Sequence, residues 1–225
     1  AEPYYGFVTP GDKAWYSAGA EMQYPYDPAR ARQLLAEIGL KDTNGDGFLE
    51  DAEGHTVEFS ALVNSNNSQR TNTASVIQTN LKDVGIRVRI DGVPFDQVLR
   101  RSEVTFDFDA VLAGWQSGTP SGPINNKNVL LSSGKQHYCF PEQAKPATEW
   151  ESRVDELVHQ MDSAPNDAER KRIFAEINRI WSEQLPEINL VAERHAIAYK
   201  SMFGNIRGSN LFAQVTWNCE EIYIK

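Results

Sequence analysis

Between Asp42 and Glu53 the chain reads DTNGDGFLEDAE, the densest run of hard oxygen donors in the sequence. Side-chain oxygens fall at loop positions 1, 3 and 5 (Asp42, Asn44, Asp46), a glycine at 6 (Gly47), the Phe48 carbonyl at 7 and Glu53 at 12. This is the spacing of an EF-hand-type loop, in which alternate side chains and one carbonyl wrap a calcium ion. A structural calcium held by Asp42, Asn44, Asp46, Phe48 and Glu53 is therefore one expectation. The other is a plain Asp-Gly turn that reverses the chain before a strand. An EF-hand needs a helix after its loop, and Val57 to Val63 alternates like a strand instead.

Other reactive residue types are present without the spacing that chemistry requires. His55, His137, His159 and His195 show no metal-ligand pattern. Ser132 and Ser133 lack the G-x-S-x-G setting of a nucleophile elbow. The adjacent acids Glu50-Asp51 and Glu220-Glu221 would face opposite ways in a strand, which spoils them for acid/base pairing. The Arg170-Lys171-Arg172 cluster sits among acids on a helix and reads as a solvated face. The two cysteines, Cys139 and Cys219, form no CxxC pair and cannot close a zinc site by themselves. They are read either as two free buried thiols or as one long-range disulfide, Cys139–Cys219, suited to an oxidising compartment.

The elements that position these residues follow from periodicity. Asp27 is a helix N-cap and Pro28 a first helical residue, Ala31, Leu34, Leu35 and Ile38 recur at helical spacing, and Gly39 stops the run. Strands are expected at 57–63, 86–90 and 106–112, with a helix through Ala74, Ile77, Leu81 and Val84 and a short one after Pro94. Strand, helix, strand, helix, strand implies a parallel sheet with helices on its faces. Ligands of such sheets lie beyond the carboxyl ends of the strands. Here those ends are Asn64-Ser-Asn-Asn67 and Gly114-Trp-Gln-Ser117, so Asn64, Ser65, Asn66, Trp115, Gln116 and Ser117 are the candidate ligand-binding residues. Two more amphipathic helices are expected at 149–161 and 167–185, then a strand at 188–199 and a last one at 222–224. The first 26 residues, rich in Gly, Pro and Tyr, read as an extended lead-in that packs aromatic rings onto something.

The chain has 225 residues, 40% hydrophobic and 24% charged, with a net charge of −9, as expected of a globular protein with a sizeable core. Asp and Glu number 31 against 22 Lys and Arg, and this acidic balance argues against nucleic acid as the main partner, since phosphate neutralisation needs clustered Lys and Arg. No stretch approaches the roughly 20 apolar residues of a membrane helix. The chain starts at Ala1 without a basic segment followed by an apolar one, and the expectation is a piece of a longer protein.

Six segments, in order, resemble a known family. The run YDPARARQLLAEIG (Tyr26–Gly39) is similar to the YDPxKAxxLLxxAG helix of family 5 extracellular solute-binding proteins, the oligopeptide, dipeptide and nickel binders of ABC importers. Asp42–Gly47 resembles that family's Asp/Gly-rich turn, Ile77–Ile86 its helix-to-strand segment, and Phe108–Trp115 its DxxxxGW strand end. Ala168–Asn178 and Leu185–Leu190 resemble two later motifs.

The resemblance implies an α/β, periplasmic-binding-protein-like lobe of the class II type, with a mixed, mostly parallel sheet flanked by helices. It implies that residues 1–200 form the second of two lobes and that 201–225 return to the first. It further implies an extracytoplasmic, soluble or lipid-anchored monomer. Such a protein holds a peptide-like or other small solute between its lobes and passes it to an ABC permease, without catalysis or a required cofactor. In peptide-binding relatives an acid after the Gly-Trp pair meets the peptide's ammonium. Gly114–Pro123 has neither Asp nor Glu, which turns the expectation toward blocked peptides, sugars or other neutral ligands. The alternative reading is a calcium-stabilised extracellular hydrolase fragment, and it lacks a converging nucleophile and base.

Overall fold

A computed structural model of the chain describes residues 1–16, 24–114, 123–194, 196–209 and 216–225. In chain order the elements are β1 (Glu2–Pro3), α1 (Pro28–Glu37), β2 (Glu58–Asn64), α2 (Ser68–Lys82), β3 (Arg87–Val93), α3 (Phe95–Arg100), a π-helical turn (Arg101–Thr105) and β4 (Ala110–Leu112). There follow a 3-10 turn (Pro123–Asn126), α4 (Lys127–Leu130), α5 (Glu149–Ser163), α6 (Asp167–Gln184), β5 (Val191–Ala192), β6 (Phe203–Gly204), a 3-10 turn (Cys219–Glu221) and β7 (Tyr223–Ile224). The chain makes two compact units, Tyr24–Trp115 and Ala1–Gln23 with Gln116–Lys225.

In the first of these, Tyr24–Trp115, β3, β2 and β4 lie side by side, all parallel, with Ala61 opposite both Ile90 and Ala110. Strand β2 is central, and its Ala61, Leu62 and Val63 are buried whichever face they point to, as a parallel strand covered on both sides requires. Helix α2 makes the crossover. Asn67 caps it by accepting from the Arg70 amide at 3.0 Å, and Gln78 Nε2 ties it to the sheet through the Val88 carbonyl at 2.7 Å. Gly85, at φ +87°, reverses the chain into β3. The strand expected at 106–112 starts only at Ala110. The π-helical turn occupies 101–105, Phe106 takes a left-handed φ of 51°, and Arg101 pins the turn to Asp91 at 2.5 Å. Helix α1 starts and stops as expected, with Asp27 Oδ1 accepting from the Arg30 amide at 2.9 Å and Gly39 at φ +94°. Its apolar stripe is covered only in part: Ala31 and Leu35 are half-buried, while Leu34 is 45% and Ile38 73% exposed.

The second unit is built on α5 packed against α6. Val154, Leu157, Val158 and Met161 meet Ile173, Phe174, Ile177 and Trp181, each at most 3% exposed. Burying side chains of this size stabilises by about 1.5–3 kcal/mol apiece. The amino-terminal lead-in packs here, Phe7 edge-on to Trp181 at 5.4 Å and Trp15 edge-on to Phe174 at 6.1 Å. Its backbone is held by Asn178 Oδ1, which accepts from the Phe7 amide, and by Asn189 Nδ2, which donates to the Gly6 carbonyl. The strand expected over 188–199 is reduced to Val191–Ala192, antiparallel to Glu2–Pro3, because only two residues of partner strand face it. The expected final strand pairs with Phe203–Gly204.

Candidate functional site

The parallel register brings three carboxyl ends to one edge. Asn64 ends β2, and its Oδ1 accepts from the Asn66 amide at 3.0 Å, folding Asn64–Asn67 into a tight polar turn. The Ser65 amide donates to the Val93 carbonyl at 2.9 Å, which joins this turn to the end of β3. Ser65 and Asn66 are exposed and Asn64 is half-buried. Arg70, in the first turn of α2, places its guanidinium 5.8 Å from the Phe95 ring centre and its Nη2 3.5 Å from the Gly114 carbonyl beyond β4. A Cβ on Gly114 would come within 2.8 Å of that nitrogen, so glycine permits the approach. Asn64, Ser65 and Asn66 are thus brought to one edge with Arg70, Phe95 and Gly114. Trp115, Gln116 and Ser117 lie outside the described residues, as does His195. Arg70 and Phe95 were not singled out from the sequence. The signal was their position, one turn into the helix after β2 and one residue past Pro94. The edge offers neutral amides and a hydroxyl, an aromatic face and one cation, which suits polar, uncharged or anionic ligand groups.

The Asp42–Glu53 loop is a chain of side-chain-to-backbone turns. Asp42 accepts from the Gly45 and Gly47 amides (2.6 and 2.9 Å), Asn44 from Asp46 (2.7 Å) and Asp46 from Phe48 (2.9 Å). Arg87 clamps it, donating to Asp46 Oδ2 at 3.2 Å and stacking 4.2 Å from the Phe48 ring centre. The carboxylates that converge are Asp42, Asp46 and buried Glu50, whereas Glu53 groups with Asp51 and His55. Glu50 accepts from the Thr43 amide and hydroxyl and from Asn44 Nδ2. A hard cation would be held by Asp42, Asn44, Asp46 and Glu50, with loop position 9 taking the role expected of position 12. The antiparallel bridges of Glu50 to Lys41 and Thr56 turn the chain away before residue 53 can fold back.

Cys139 and Cys219 are free thiols, exposed rather than buried, and no disulfide joins them in this structure. Each has a local neighbour instead: Cys139 lies against His137, and Cys219 is 3.7 Å from the Glu220 carboxylate. His137 is buried, its Nδ1 on the Val129 carbonyl (2.9 Å) and its Nε2 on Glu151 Oε1 (3.2 Å). Burial disfavours the imidazolium, but Cys139, Val129 and Glu151 outweigh it and raise His137 from 6.5 to about 9. Burial likewise pushes the Glu151 carboxyl up, and bonds from Gln143, Thr148 and His137 overcome it, leaving the group below its ordinary range. Sequence spacing did not point to this cluster, because Glu151 arrives from the first turn of α5.

Residues 1–137 match the sequence pattern of the family described as bacterial extracellular solute-binding proteins, family 5, middle region. A "Probable ABC transporter-binding protein" of Deinococcus radiodurans is 31% identical over 201 residues, 85% of this chain and 34% of the relative. The oligopeptide-binding protein AppA of Bacillus subtilis is 38% identical over 98 residues, 43% of this chain and 18% of AppA. The structure of AppA with a nonapeptide superposes with a TM-score of 0.75 at 24% identity, covering all of this chain and 42% of AppA. The periplasmic binding protein MelB of Agrobacterium fabrum, solved with stachyose, gives 0.73 at 24% identity over 83% of this chain and 29% of MelB. The chain therefore spans about a third or less of the length of these curated relatives. The periplasmic-binding-protein-like α/β fold is that of the neighbours, and the matches give the hydrolase alternative no support. No helix among the described residues is long and apolar enough to cross a membrane.

Proposed function

The chain belongs to the family 5 bacterial extracellular solute-binding proteins, and from that premise we propose that it forms part of the substrate-binding component of an ABC importer. The whole protein binds a peptide-like or other small solute between two lobes and delivers it to the permease, acting as a monomer outside the cytoplasm, without turnover. The observation that carries this reading is that the family match, residues 1–137, contains both the Asn64–Asn66 turn and Gly114 of the candidate edge, together with the Trp115-Gln116-Ser117 run that follows in sequence. Closure over that edge, with contacts made only in the closed form, shifts an open–closed equilibrium toward the state a permease recognises. Trp115 supplies a stacking surface, Asn64, Ser65, Asn66, Gln116 and Ser117 supply neutral hydrogen bonds, and Arg70 supplies a cation. With no acid between Gly114 and Pro123, blocked peptides and oligosaccharides are favoured over free-amine peptides.

The test is a thermal-shift screen of the full-length protein against free peptides, blocked peptides and oligosaccharides. One class is expected to raise the melting temperature, with the shift lost in Trp115→Ala and at least halved in Arg70→Ala. Turnover of an ester, peptide or glycoside in place of any shift would overturn the reading.

A further inference from the structure

The strongest feature outside the strand-end edge is the meeting of His137, Cys139 and Glu151. A ring nitrogen, the thiol sulfur and a carboxylate oxygen all lie within 4.8 Å of one another. The His137 side chain is 0% and the Glu151 side chain 3% exposed, while Cys139 opens to solvent. The cluster thus has a fixed inner wall and an accessible outer donor.

The supporting contacts orient each inner donor. A backbone carbonyl only accepts, so His137 Nδ1, 2.9 Å from the Val129 carbonyl, carries hydrogen and turns Nε2 toward Glu151. Metal-bound histidines are held in this way, the far nitrogen donating to a carbonyl. Glu151 Oε2 is taken by the Ala147 amide (3.1 Å) and by the Thr148 amide and hydroxyl (both 2.8 Å), which leaves Oε1 facing the ring. Gln143 Nε2 steadies Oε1 from one side at 2.7 Å. Trp150 and Trp181, with ring centres 6.0 and 6.1 Å from His137, close off the inner side. In a tetrahedral site with bonds of about 2.0–2.3 Å, neighbouring donors stand about 3.2–3.8 Å apart. The 3.2 Å between Nε2 and Oε1 is such an edge. One nitrogen, one sulfur and one oxygen suit a borderline cation better than calcium or magnesium.

We propose that His137 Nε2, Cys139 Sγ and Glu151 Oε1 form a three-donor site for a borderline divalent cation of the Zn²⁺ class, with its fourth position open on the Cys139 side. On binding, the cation takes the place of the proton between Nε2 and Oε1 and of the thiol proton, and both leave to solvent. The site lies within the unit of α5 and α6, and it does not depend on the solute-binding reading.

Purified protein stripped with EDTA is titrated with Co²⁺ as a spectroscopic probe and then with Zn²⁺. The expected result is one equivalent of Co²⁺ with a thiolate-to-Co²⁺ charge-transfer band, displaced by one equivalent of Zn²⁺. Cys139→Ser, an exposed change that should leave circular dichroism intact, removes the band and weakens Zn²⁺ binding at least tenfold. Cys219→Ser changes neither. Absence of stoichiometric binding, binding without the band, or a band that follows Cys219 would each overturn the proposal. Solute-induced thermal shifts in Cys139→Ser stay as in the parent protein, so failure here and failure of the solute-binding reading are told apart.

Discussion

Glu187 shows how a single residue can work against its fold. It follows α6 beside buried Trp181, and burial raises its carboxyl above the ordinary range, with the neighbouring His137 and Trp181 side chains opposing the rise. A carboxyl whose folded-state pKa is raised favours folding most when protonated. Stability on its account is full below the unfolded value near 4.5 and is lost as pH rises through the folded value. Glu187→Gln imitates the protonated form. The variant should melt higher than the parent at pH 7, and the gain should vanish near pH 4. An equal difference at both pH values would show that Glu187 does not titrate in this way. Residue-scale features of this kind are invisible to spacing. Glu187 stands in a Leu-Pro-Glu-Ile run like any loop acid, and Arg70 in a Ser-Gln-Arg run like any helix cation.

At the scale of elements, chain punctuation was legible. The Asp27-Pro28 start and Gly39 stop of α1 stand where expected, and α5 and α6 begin at their caps Thr148 and Asn166. The turn between α2 and β3 shows what punctuation costs when it is also packed. Gly85 lies at φ +87°, and a Cβ there would meet Leu49 Cγ at 2.6 Å. Gly85→Ala should therefore lower unfolding free energy by roughly 1–3 kcal/mol, from left-handed strain and the displaced leucine together. Urea denaturation reads this as a lower midpoint at unchanged slope. A midpoint within error of the parent would mean that the turn relaxes freely. Strands were less legible than helices. The apolar run at 106–112 could not reveal that Arg101 would pin a π-helical turn onto Asp91, and the run at 188–199 found only two residues of partner.

At the scale of the molecule, the chain spans 34% of the Deinococcus relative and 42% of the AppA structure. A solute held between two lobes would have only part of its contacts here. By calorimetry, the chain alone should bind the solute found by the thermal-shift screen at least tenfold more weakly than the full-length protein. Equal affinities would place the whole site within these residues. Taken by itself, the sequence determined the α/β class, the order of helices and strands, the parallel sheet and the family, because each is written in local periodicity, capping residues and the order of short motifs. It also placed Asn64–Asn66 at a strand end, since the crossover rule fixes where a parallel sheet is open. Tertiary structure alone decided that Glu50 and not Glu53 joins Asp42 and Asp46, that Arg70 reaches Gly114, and that Glu151 closes on His137 and Cys139. Those meetings depend on how far a turn reverses and how a helix sits on its neighbours, and such long-range geometry leaves no period in the chain.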